Sequence, residues 1–449
     1  MKHGLLLVLL AGALGAAEFR AGVARMDITP DGPIWMSGYA SRTKPSTGVL
    51  QRLWAKALAI EDGKKNRVVI VTTDIIGLPR AISDVVAARV QKDHGLDRAS
   101  VLFNSSHTHT GPVVRPNLIS MYSLSDGEDR RLKEYALQLT DKLVGVVGAA
   151  LGDLKPAKLS YGTGKAGFAM NRRQVTPKGM QIGINAEGPM DHEVPVLKIE
   201  GTDGTLRAVL FAYACHNTTL TGEFYQLSGD YAGFAQDGIE KAHPGATAMF
   251  MLLCGADQNP NPRSTLEYAQ QHGGTLATEV NRVLEGKLAP VRPPVRAAFR
   301  SIDLSFAPHS REQFEKEAQD SNRYKVTRAK AMLAAYDERR PVRSTPYPIQ
   351  AVRFGNGLTL VALGGEVVID YQLRVKREFG ANQMVVAGYS NDVMCYITSL
   401  RIIKEGGYEA IDSMIYYGQP GPFADDVEET IFNGIRSVLK KVGREPAKR

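Results

Sequence analysis

Residues 101–112 read Val101-Leu-Phe-Asn-Ser-Ser-His-Thr-His-Thr-Gly-Pro112, a short apolar run that ends in a polar turn carrying two histidines. Short apolar runs that stop at turn signals are typical of strands buried on both faces of a sheet. Similar runs, each followed by a polar or glycine-rich turn, recur along the chain at residues 68–73, 206–214, 248–253, 358–363 and 384–387.

Helical patterns alternate with these runs, at residues 79–92, 131–151, 266–284, 312–337 and 427–442. The runs at 194–199 and 206–214, joined by Gly201-Thr-Asp-Gly204, are typical of an antiparallel hairpin. Strands that alternate with helices indicate an α/β fold. We therefore predict a single large domain with a mixed, mostly buried β-sheet flanked by helices.

The composition is that of a globular protein, with 43% apolar and 23% charged residues in a chain of 449. The net charge of +8 is spread thinly, and no nucleic-acid-binding module is recognisable, so we predict no nucleic-acid partner. Three cysteines, Cys215, Cys254 and Cys395, exclude a disulfide-rich scaffold and favour small buried thiols, although one bridged pair is left open.

The first residues have the pattern of a secretory signal. Lys2 precedes an apolar stretch at 5–10, and small residues follow at 11–17. We expect residues 1–17 to be a signal peptide and the mature protein, residues 18–449, to be secreted or periplasmic.

Polar side chains follow several of the predicted strands. His107, His216, Asp257, Glu366 and Asn391 each come shortly after an apolar run. In open α/β sheets, the loops beyond the carboxyl ends of the strands form the ligand crevice. These residues, although far apart in sequence, are therefore predicted to converge on one cleft.

The same positions suggest a metal site. His107 and His109 share one face of an extended segment, and His216 and Glu366 add a third imidazole and a carboxylate. Two histidines and a carboxylate with an open position form a common catalytic zinc arrangement. Nine histidines in all suffice for one mononuclear site but not for a histidine-rich dinuclear site. For each histidine, a structural role in the core is the alternative.

Other chemistries have less support. The chain contains no G-x-S-x-G, so it lacks the serine elbow of α/β-hydrolases. Gly162-Thr-Gly-Lys-Ala-Gly167 matches the letters of a dinucleotide-binding motif, but residues 168–173 are not a convincing amphipathic helix. Asp74 and Asp230 are either acceptors that orient metal ligands or simply turn and cap residues.

A set of short motifs resembles the N-terminal catalytic domain of the neutral/alkaline (non-lysosomal) ceramidases. The motifs occur in the family's order and span about residues 20 to 440. They are Ala21-Gly-Val-Ala-Arg-Met-Asp-Ile-Thr-Pro30, Met36-Ser-Gly-Tyr39, Ser105-Ser-His-Thr-His-Thr-Gly-Pro112, Asn171-Arg172, Cys215-His216, Gly364-Gly-Glu366, Asn391-Asp-Val-Met-Cys-Tyr-Ile-Thr398, Gly407-Tyr-Glu-Ala410 and Tyr416-Tyr-Gly418.

The resemblance implies that this secreted protein, as residues 1–17 predict it to be, is a zinc-dependent amidohydrolase that hydrolyses the amide bond of N-acylsphingosine (ceramide) or a related N-acyl lipid through a metal-activated water. It implies one zinc ion per chain, with His107, His216, Glu366 and Tyr396 as ligands. It further implies that His109 acts as acid and base, and that Arg172 stabilises developing negative charge. The implied substrate is a small molecule or lipid; a transient contact with a membrane surface and the oligomeric state are left open.

Three features depart from the family pattern. Asn259 stands where the family's Gly-Asp-x-Ser-Pro-Asn motif has its serine, and it can hydrogen-bond to substrate but cannot act as a nucleophile. Val393 replaces a tyrosine upstream of Tyr396. Family members continue into an immunoglobulin-like domain, which we expect to be absent here. Two alternatives therefore remain: a catalytically weak or inactive descendant that binds metal or lipid, and an amidase for a polar substrate such as a cell-wall peptide.

Overall fold

The computed structural model describes residues 18–447, so the predicted signal peptide at residues 1–17 lies outside the described residues. The strands of the described part are, in chain order, β1 (Phe19–Asp27), β2 (Gly48–Val49), β3 (Trp54–Asp62), β4 (Arg67–Thr73), β5 (Val101–Ser105), β6 (Lys155–Lys165), β7 (Ala169–Asn171), β8 (Arg173–Thr176), β9 (Gly179–Ile182), β10 (Glu193–Gly201), β11 (Leu206–Tyr213), β12 (Gln226–Leu227), β13 (Thr247–Leu252), β14 (Gln258–Pro260), β15 (Ala289–Pro290), β16 (Val295–Ser305), β17 (Ser344–Phe354), β18 (Thr359–Leu363), β19 (Glu366–Val367), β20 (Met384–Ala387) and β21 (Tyr396–Ile397).

The α-helices of the same part are α1 (Arg80–His94), α2 (Asp126–Gly152), α3 (Asp230–Ala242), α4 (Leu266–Glu285), α5 (Arg311–Glu317), α6 (Arg323–Asp337), α7 (Ile369–Phe379), α8 (Leu400–Glu405) and α9 (Val427–Lys441). None of the helices in residues 18–447 combines the length and apolar character needed to cross a bilayer.

Two sheets form the framework. The larger has the order β13-β11-β10-β6-β1-β3-β4-β5, with β15 also paired to β6, and the smaller has the order β16-β17-β18-β20. Most pairs are antiparallel, but β4–β5, β11–β13 and β18–β20 are parallel. The predicted mixed α/β class is confirmed, and the apolar runs of the sequence are the strands β4, β5, β11, β13, β18 and β20.

Each of these three parallel pairs is a β-α-β unit. Helix α1 lies between β4 and β5 in the chain, α3 between β11 and β13, and α7 between β18 and β20. A crossover of this kind is required to bring the chain back for a parallel neighbour. The two strands of each unit therefore end at the same edge of their sheet, which is where the predicted site residues follow.

Strand β4 illustrates how the larger sheet is buried. Val69 and Val71 pack into one apolar cluster, whereas Val68 and Ile70 pack into another on the opposite face. All four side chains are fully buried. Burial of an aliphatic side chain of this size contributes about 1.5 to 3 kcal/mol. Layers on both faces thus explain why the run is apolar throughout rather than alternating.

The larger sheet curls until its two edge strands approach each other. At the end of β5, Asn104 accepts a hydrogen bond from the Leu252 N–H of β13 at 2.8 Å and donates to the Leu252 carbonyl at 3.1 Å. The same amide group donates to the Gly388 carbonyl, beyond β20 of the smaller sheet, at 2.9 Å. One buried side chain therefore joins the carboxyl ends of strands from both sheets.

Three local predictions are corrected or resolved. The single helix predicted at 312–337 is two helices, α5 and α6, because Asn322 caps the second by accepting from the Tyr324 N–H. The glycine motif at 162–167 begins on β6, and a strand rather than a helix follows it, so this segment lacks the helix N-terminus on which that motif holds a pyrophosphate. The cysteines 215, 254 and 395 are free and buried, as predicted.

Candidate metal centre

His107 lies just beyond β5, in a turn that fixes its orientation. Its backbone has φ of 59°, in the left-handed region, and its N–H donates to the Ile75 carbonyl at 2.9 Å. The imidazole Nδ1 lies 2.5 Å from the Ile76 carbonyl oxygen. Since a carbonyl only accepts, Nδ1 carries a proton, and Nε2 is the ring nitrogen that faces the other candidate ligands.

His216 lies beyond β11 and is held in the same way. Its Nδ1 donates to the Gly255 carbonyl at 2.8 Å, and that carbonyl belongs to the loop after the neighbouring parallel strand β13. Burial, with a further contribution from the Arg172 charge, lowers the pKa of His216 to about 4. The imidazole is therefore neutral near pH 7, as a metal ligand must be.

Glu366 reaches the two histidines from β19, just beyond β18 of the smaller sheet. Its Oε2 lies 3.1 Å from His107 Nε2 and 3.0 Å from His216 Nε2. The preceding Gly365 has φ of 74°, and a Cβ there would come within 2.7 Å of the Cys395 carbonyl oxygen. Burial would raise the pKa of Glu366, but the two imidazoles outweigh burial and hold it well below its usual range.

His109 completes a group of donor atoms. Its Nε2 lies 3.2 Å from His107 Nε2, and the ligand atoms of His107, His109 and His216 all lie within 4.8 Å of one another. The buried Nδ1 of His109, in contrast, has no hydrogen-bond partner among the described residues. Burial, together with His107 and His216, lowers the pKa of His109 well below its usual value, so it too is neutral.

The arrangement fits a metal ion. Around a tetrahedral ion with bonds of about 2.0 to 2.1 Å, neighbouring ligand atoms lie about 3.3 to 3.4 Å apart. The separations of 3.0 to 3.2 Å between the nitrogen and carboxylate atoms come close to that value. Two imidazole lone pairs at 3.2 Å also repel each other unless a cation or proton lies between them. The histidine triad could therefore hold a metal ion.

Tyr396 lies at the edge of this cluster. It pairs with Glu366 through the parallel strands β19 and β21, and its hydroxyl lies 3.4 Å from His216 Nε2 and 3.0 Å from Arg172 Nη2. Burial raises the pKa of the Tyr396 phenol well above its usual range, although the Arg172 charge opposes that shift. The phenol would thus need a bound cation to ionise.

Arg172 and Asn259 lie next to Tyr396, because Arg172 directly follows β7 and Asn259 is on its partner strand β14. Arg172 Nε donates to Glu409 at 2.8 Å, and its Nη1 donates to Asn259 Oδ1 at 3.3 Å. The same Oδ1 accepts from the Thr218 hydroxyl at 3.2 Å. With its oxygen occupied twice, Asn259 has its NH2 group left to donate.

A pocket connects these residues to the surface. An outer cavity of about 210 Å³ is lined by His109, Arg172, Asn259 and Tyr396, among others. A smaller inner cavity of about 20 Å³ is lined by His107, Glu366 and again His109 and Tyr396. His109 and Tyr396 therefore stand between the outer pocket and the other predicted ligands.

The structure thus brings together the predicted site residues His107, His109, Arg172, His216, Asn259, Glu366 and Tyr396. Other candidates serve as supports. Asp74 accepts from the Trp54 N–H and from Gln236, and Asp230 accepts from the Leu220 N–H at the start of α3. Among the described residues, neither aspartate is hydrogen-bonded to a histidine ring.

Two further residues expected in the cleft, Asp257 and Asn391, are also supports. Asp257 accepts from the Ile369 N–H at the start of α7, and Asn391 donates to Gln350. Sequence reasoning missed Tyr417, whose hydroxyl donates to Glu366 Oε1, and Glu409, which pairs with Arg172. Both lie in the strings 407–410 and 416–418, for which the sequence offered only the resemblance.

Comparisons with known proteins agree with this architecture. The family model described as neutral/alkaline non-lysosomal ceramidase, N-terminal, matches residues 19–272, more than half of the chain. The neutral ceramidase of Pseudomonas aeruginosa is 28% identical over 223 residues, which are 48% of this chain and 33% of that protein. The neutral ceramidase of Mycobacterium tuberculosis is 25% identical over 272 residues, which are 58% of this chain and 40% of that protein. The matched part is thus well under half the length of either relative.

Solved structures extend the similarity beyond residue 272. The crystal structure of neutral ceramidase from Pseudomonas aeruginosa superposes with a TM-score of 0.74 at 19% identity, covering 96% of this chain and 76% of that one. A structure described as ceramidase complexed with C2 gives a TM-score of 0.73, also at 19% identity. At this identity the likeness establishes a shared fold.

Proposed function

The chain belongs to the neutral/alkaline non-lysosomal ceramidase family, and from that membership we propose that it is a zinc-dependent amidohydrolase. Its proposed substrate is N-acylsphingosine or a related N-acyl lipid. The observation that supports this best is the set of donor atoms on His107, His109, His216 and Glu366, which lie 3.0 to 3.2 Å from their neighbours at the floor of a pocket. Export is proposed from the pattern of residues 1–17 alone.

Zinc is the proposed ion because imidazole nitrogens with one carboxylate are its usual catalytic ligands. We assign His107, His216 and Glu366 as ligands, with Tyr396 as the fourth. A bound zinc ion supplies a Lewis acid and lowers the pKa of its water from about 15.7 to about 7.

His109 is proposed as the acid and base rather than as a ligand. Histidines that bind zinc almost always donate their second ring N–H to an acceptor, which holds the ring in place. His107 and His216 do so, to the carbonyls of Ile76 and Gly255, whereas His109 Nδ1 has no such partner among the described residues. His109 also faces the outer pocket, so its Nε2 can accept a proton from the attacking water and return it to the leaving nitrogen.

Arg172 and Asn259 are proposed to bind the scissile carbonyl. Arg172 is held in place by Glu409, and its Nη atoms lie at the junction of Tyr396 and Asn259. A donor directed at the developing oxyanion is worth about 3 to 4 kcal/mol. The NH2 group of Asn259 is a second donor on the same wall, and it replaces a hydroxyl with a group that cannot attack the substrate.

Because Asn259 replaces the family serine, a second hypothesis is a descendant that binds metal or lipid without turnover.

The test measures hydrolysis of N-lauroylsphingosine by zinc-loaded protein and its His107→Ala variant. We expect turnover in the parent and loss of both zinc and turnover in the variant. His94→Ala, at the end of α1 and outside the pocket, is the matched control. Turnover that survives His107→Ala contradicts the metal mechanism, and bound zinc without turnover on any N-acyl substrate supports the inactive descendant.

A further inference from the structure

The outer pocket contains an arginine that the mechanism does not use. Arg263 lies beyond β14 and lines the same cavity as Arg172, His109 and Asn259. The charge of Arg172 is balanced by Glu409 at 2.8 Å. Arg263 has no carboxylate oxygen within 4.0 Å among residues 18–447, so its positive charge is not compensated by a direct partner there.

Most N–H donors of Arg263 also have no acceptor among the described residues. One nitrogen, Nη2, donates to the Tyr39 hydroxyl at 3.0 Å, and the buried Nε has no partner among the described residues. A guanidinium carries five N–H donors in a planar fork that matches a carboxylate in two places. A buried donor without an acceptor is destabilising, so a ligand that brings an acceptor into the pocket would bind more tightly by pairing with this guanidinium.

The rest of the pocket wall favours the same kind of ligand. Its described lining includes two arginines, the Asn259 amide and the Thr218 hydroxyl, but no aspartate or glutamate. The nearby carboxylate of Asp230 already accepts from the backbone N–H groups of Leu220 and Tyr231. The wall is therefore positively charged and rich in hydrogen-bond donors, which suits an anion better than the neutral, hydroxyl-bearing head group of a ceramide.

Tyr39 connects this arginine to the proposed chemistry. Its ring packs edge-on against His109, with 4.8 Å between the ring centres, while its hydroxyl holds Arg263. One tyrosine side chain thus separates the guanidinium from the proposed acid and base. A group bound by Arg263 would lie a short distance from the scissile amide.

We propose that the outer pocket binds a carboxylate, and that the preferred substrates are N-acyl amino acids rather than neutral ceramides. This inference rests on the proposed function, because the scissile amide must reach His109 and the metal ligands. Hydrolysis adds one water across the amide: the C–N bond breaks, the hydroxyl stays on the acyl carbon, and a proton goes to the amine nitrogen. The products are a fatty acid and an amino acid.

The test compares N-lauroylglycine with N-lauroylethanolamine, which share the acyl chain and the amide but differ in charge. The parent protein is expected to hydrolyse the acidic probe with the higher kcat/KM. A charged hydrogen-bonded pair is worth about 10- to 100-fold, so Arg263→Gln should lower kcat/KM for the acidic probe by that factor, chiefly through KM. For the neutral probe, kcat/KM of Arg263→Gln should change little. Arg263→Lys should retain part of the activity on the acidic probe that Arg263→Gln loses. Arg89→Gln, on the exposed surface of α1, is the matched control.

Equal losses on both probes would mean that Arg263 only supports Tyr39, and a parent that prefers the neutral probe would also overturn the inference. If neither probe is hydrolysed but N-lauroylsphingosine is, the proposed function stands and the inference is overturned. If none of the three is hydrolysed, the proposed function fails, and the subsite is tested by calorimetric binding of both probes to the parent and to Arg263→Gln. Tighter binding of the acidic probe that is lost in the variant supports the subsite. Equal binding of both probes overturns it.

Discussion

Gly38→Ala separates the proposed role of His109 from those of the ligands. Gly38 has φ of 92°, and a Cβ there would lie 2.3 Å from His109 Nδ1. Ordinary contact begins at 3.4 Å, so the imidazole would have to shift by about 1 Å. A displacement of that size in a catalytic group costs about 100-fold in rate. The three atoms nearest the new methyl group all belong to His109, so His107, His216 and Glu366 should keep the ion.

The expected result is therefore a fall of about 100-fold in kcat/KM with zinc content unchanged. Hydrolysis of the best N-acyl substrate gives the rate, and elemental analysis of the purified variant gives the zinc content. Thermal unfolding reports the strain of an alanine in the left-handed region, about 1 to 2 kcal/mol.

Gly32→Ala is the matched control, because Gly32 has φ of 75° but its added Cβ would meet no atom within 4 Å. It should show the backbone strain without the loss of rate. Loss of zinc in Gly38→Ala would show that His109 is a ligand, and full activity would show that its position is unimportant. Either result refutes the assignment of His109 as acid and base.

Three further changes test the surroundings of the centre. Tyr417→Phe removes the hydrogen bond to Glu366 Oε1 and should lower the affinity for zinc by about 10- to 100-fold, as measured by competition with a chelator. Unchanged affinity would contradict a supporting role for Tyr417. Asn104→Leu removes the side chain that pairs with the buried Leu252 N–H and carbonyl. Urea unfolding should show that the free energy of unfolding falls by about 2 to 5 kcal/mol. A fall below about 1 kcal/mol would mean that the contact between the two sheet edges does not depend on Asn104. Burial raises the pKa of Asp257 to about 7, so the folded state keeps a proton that the unfolded chain releases near its ordinary value of 3.8. Stability from this group therefore falls as pH rises between those values, and the stability of Asp257→Asn relative to the parent should increase over that range; a constant difference would contradict the shift.

The sequence predicted the strand ends but not how far the sheet curls. The run before His107 and the run before His216 are each recognisable from a few adjacent residues. Their meeting depends on Asn104 binding Leu252, a contact across 148 positions that no local pattern signals. The convergence was predictable from the general behaviour of parallel strands, whereas the contact that closes the edges was not.

Within the site, too, the sequence indicates which residues lie together, whereas their individual roles depend on tertiary contacts. The spacing of His107 and His109 predicts a shared face, but only the structure shows that one ring is anchored to the Ile76 carbonyl and the other is not. Tyr417 and Arg263 follow no apolar run, so periodicity gave no reason to select them. Residues whose importance comes from tertiary contacts alone are the ones that sequence patterns miss.

The most direct test is anomalous X-ray diffraction from crystals of the zinc-loaded protein, measured on both sides of the zinc absorption edge. We expect one anomalous peak per chain, at about 2.0 to 2.2 Å from His107 Nε2, His216 Nε2 and Glu366 Oε2. A peak elsewhere, or the absence of any peak among these three side chains, would contradict the proposed metal centre.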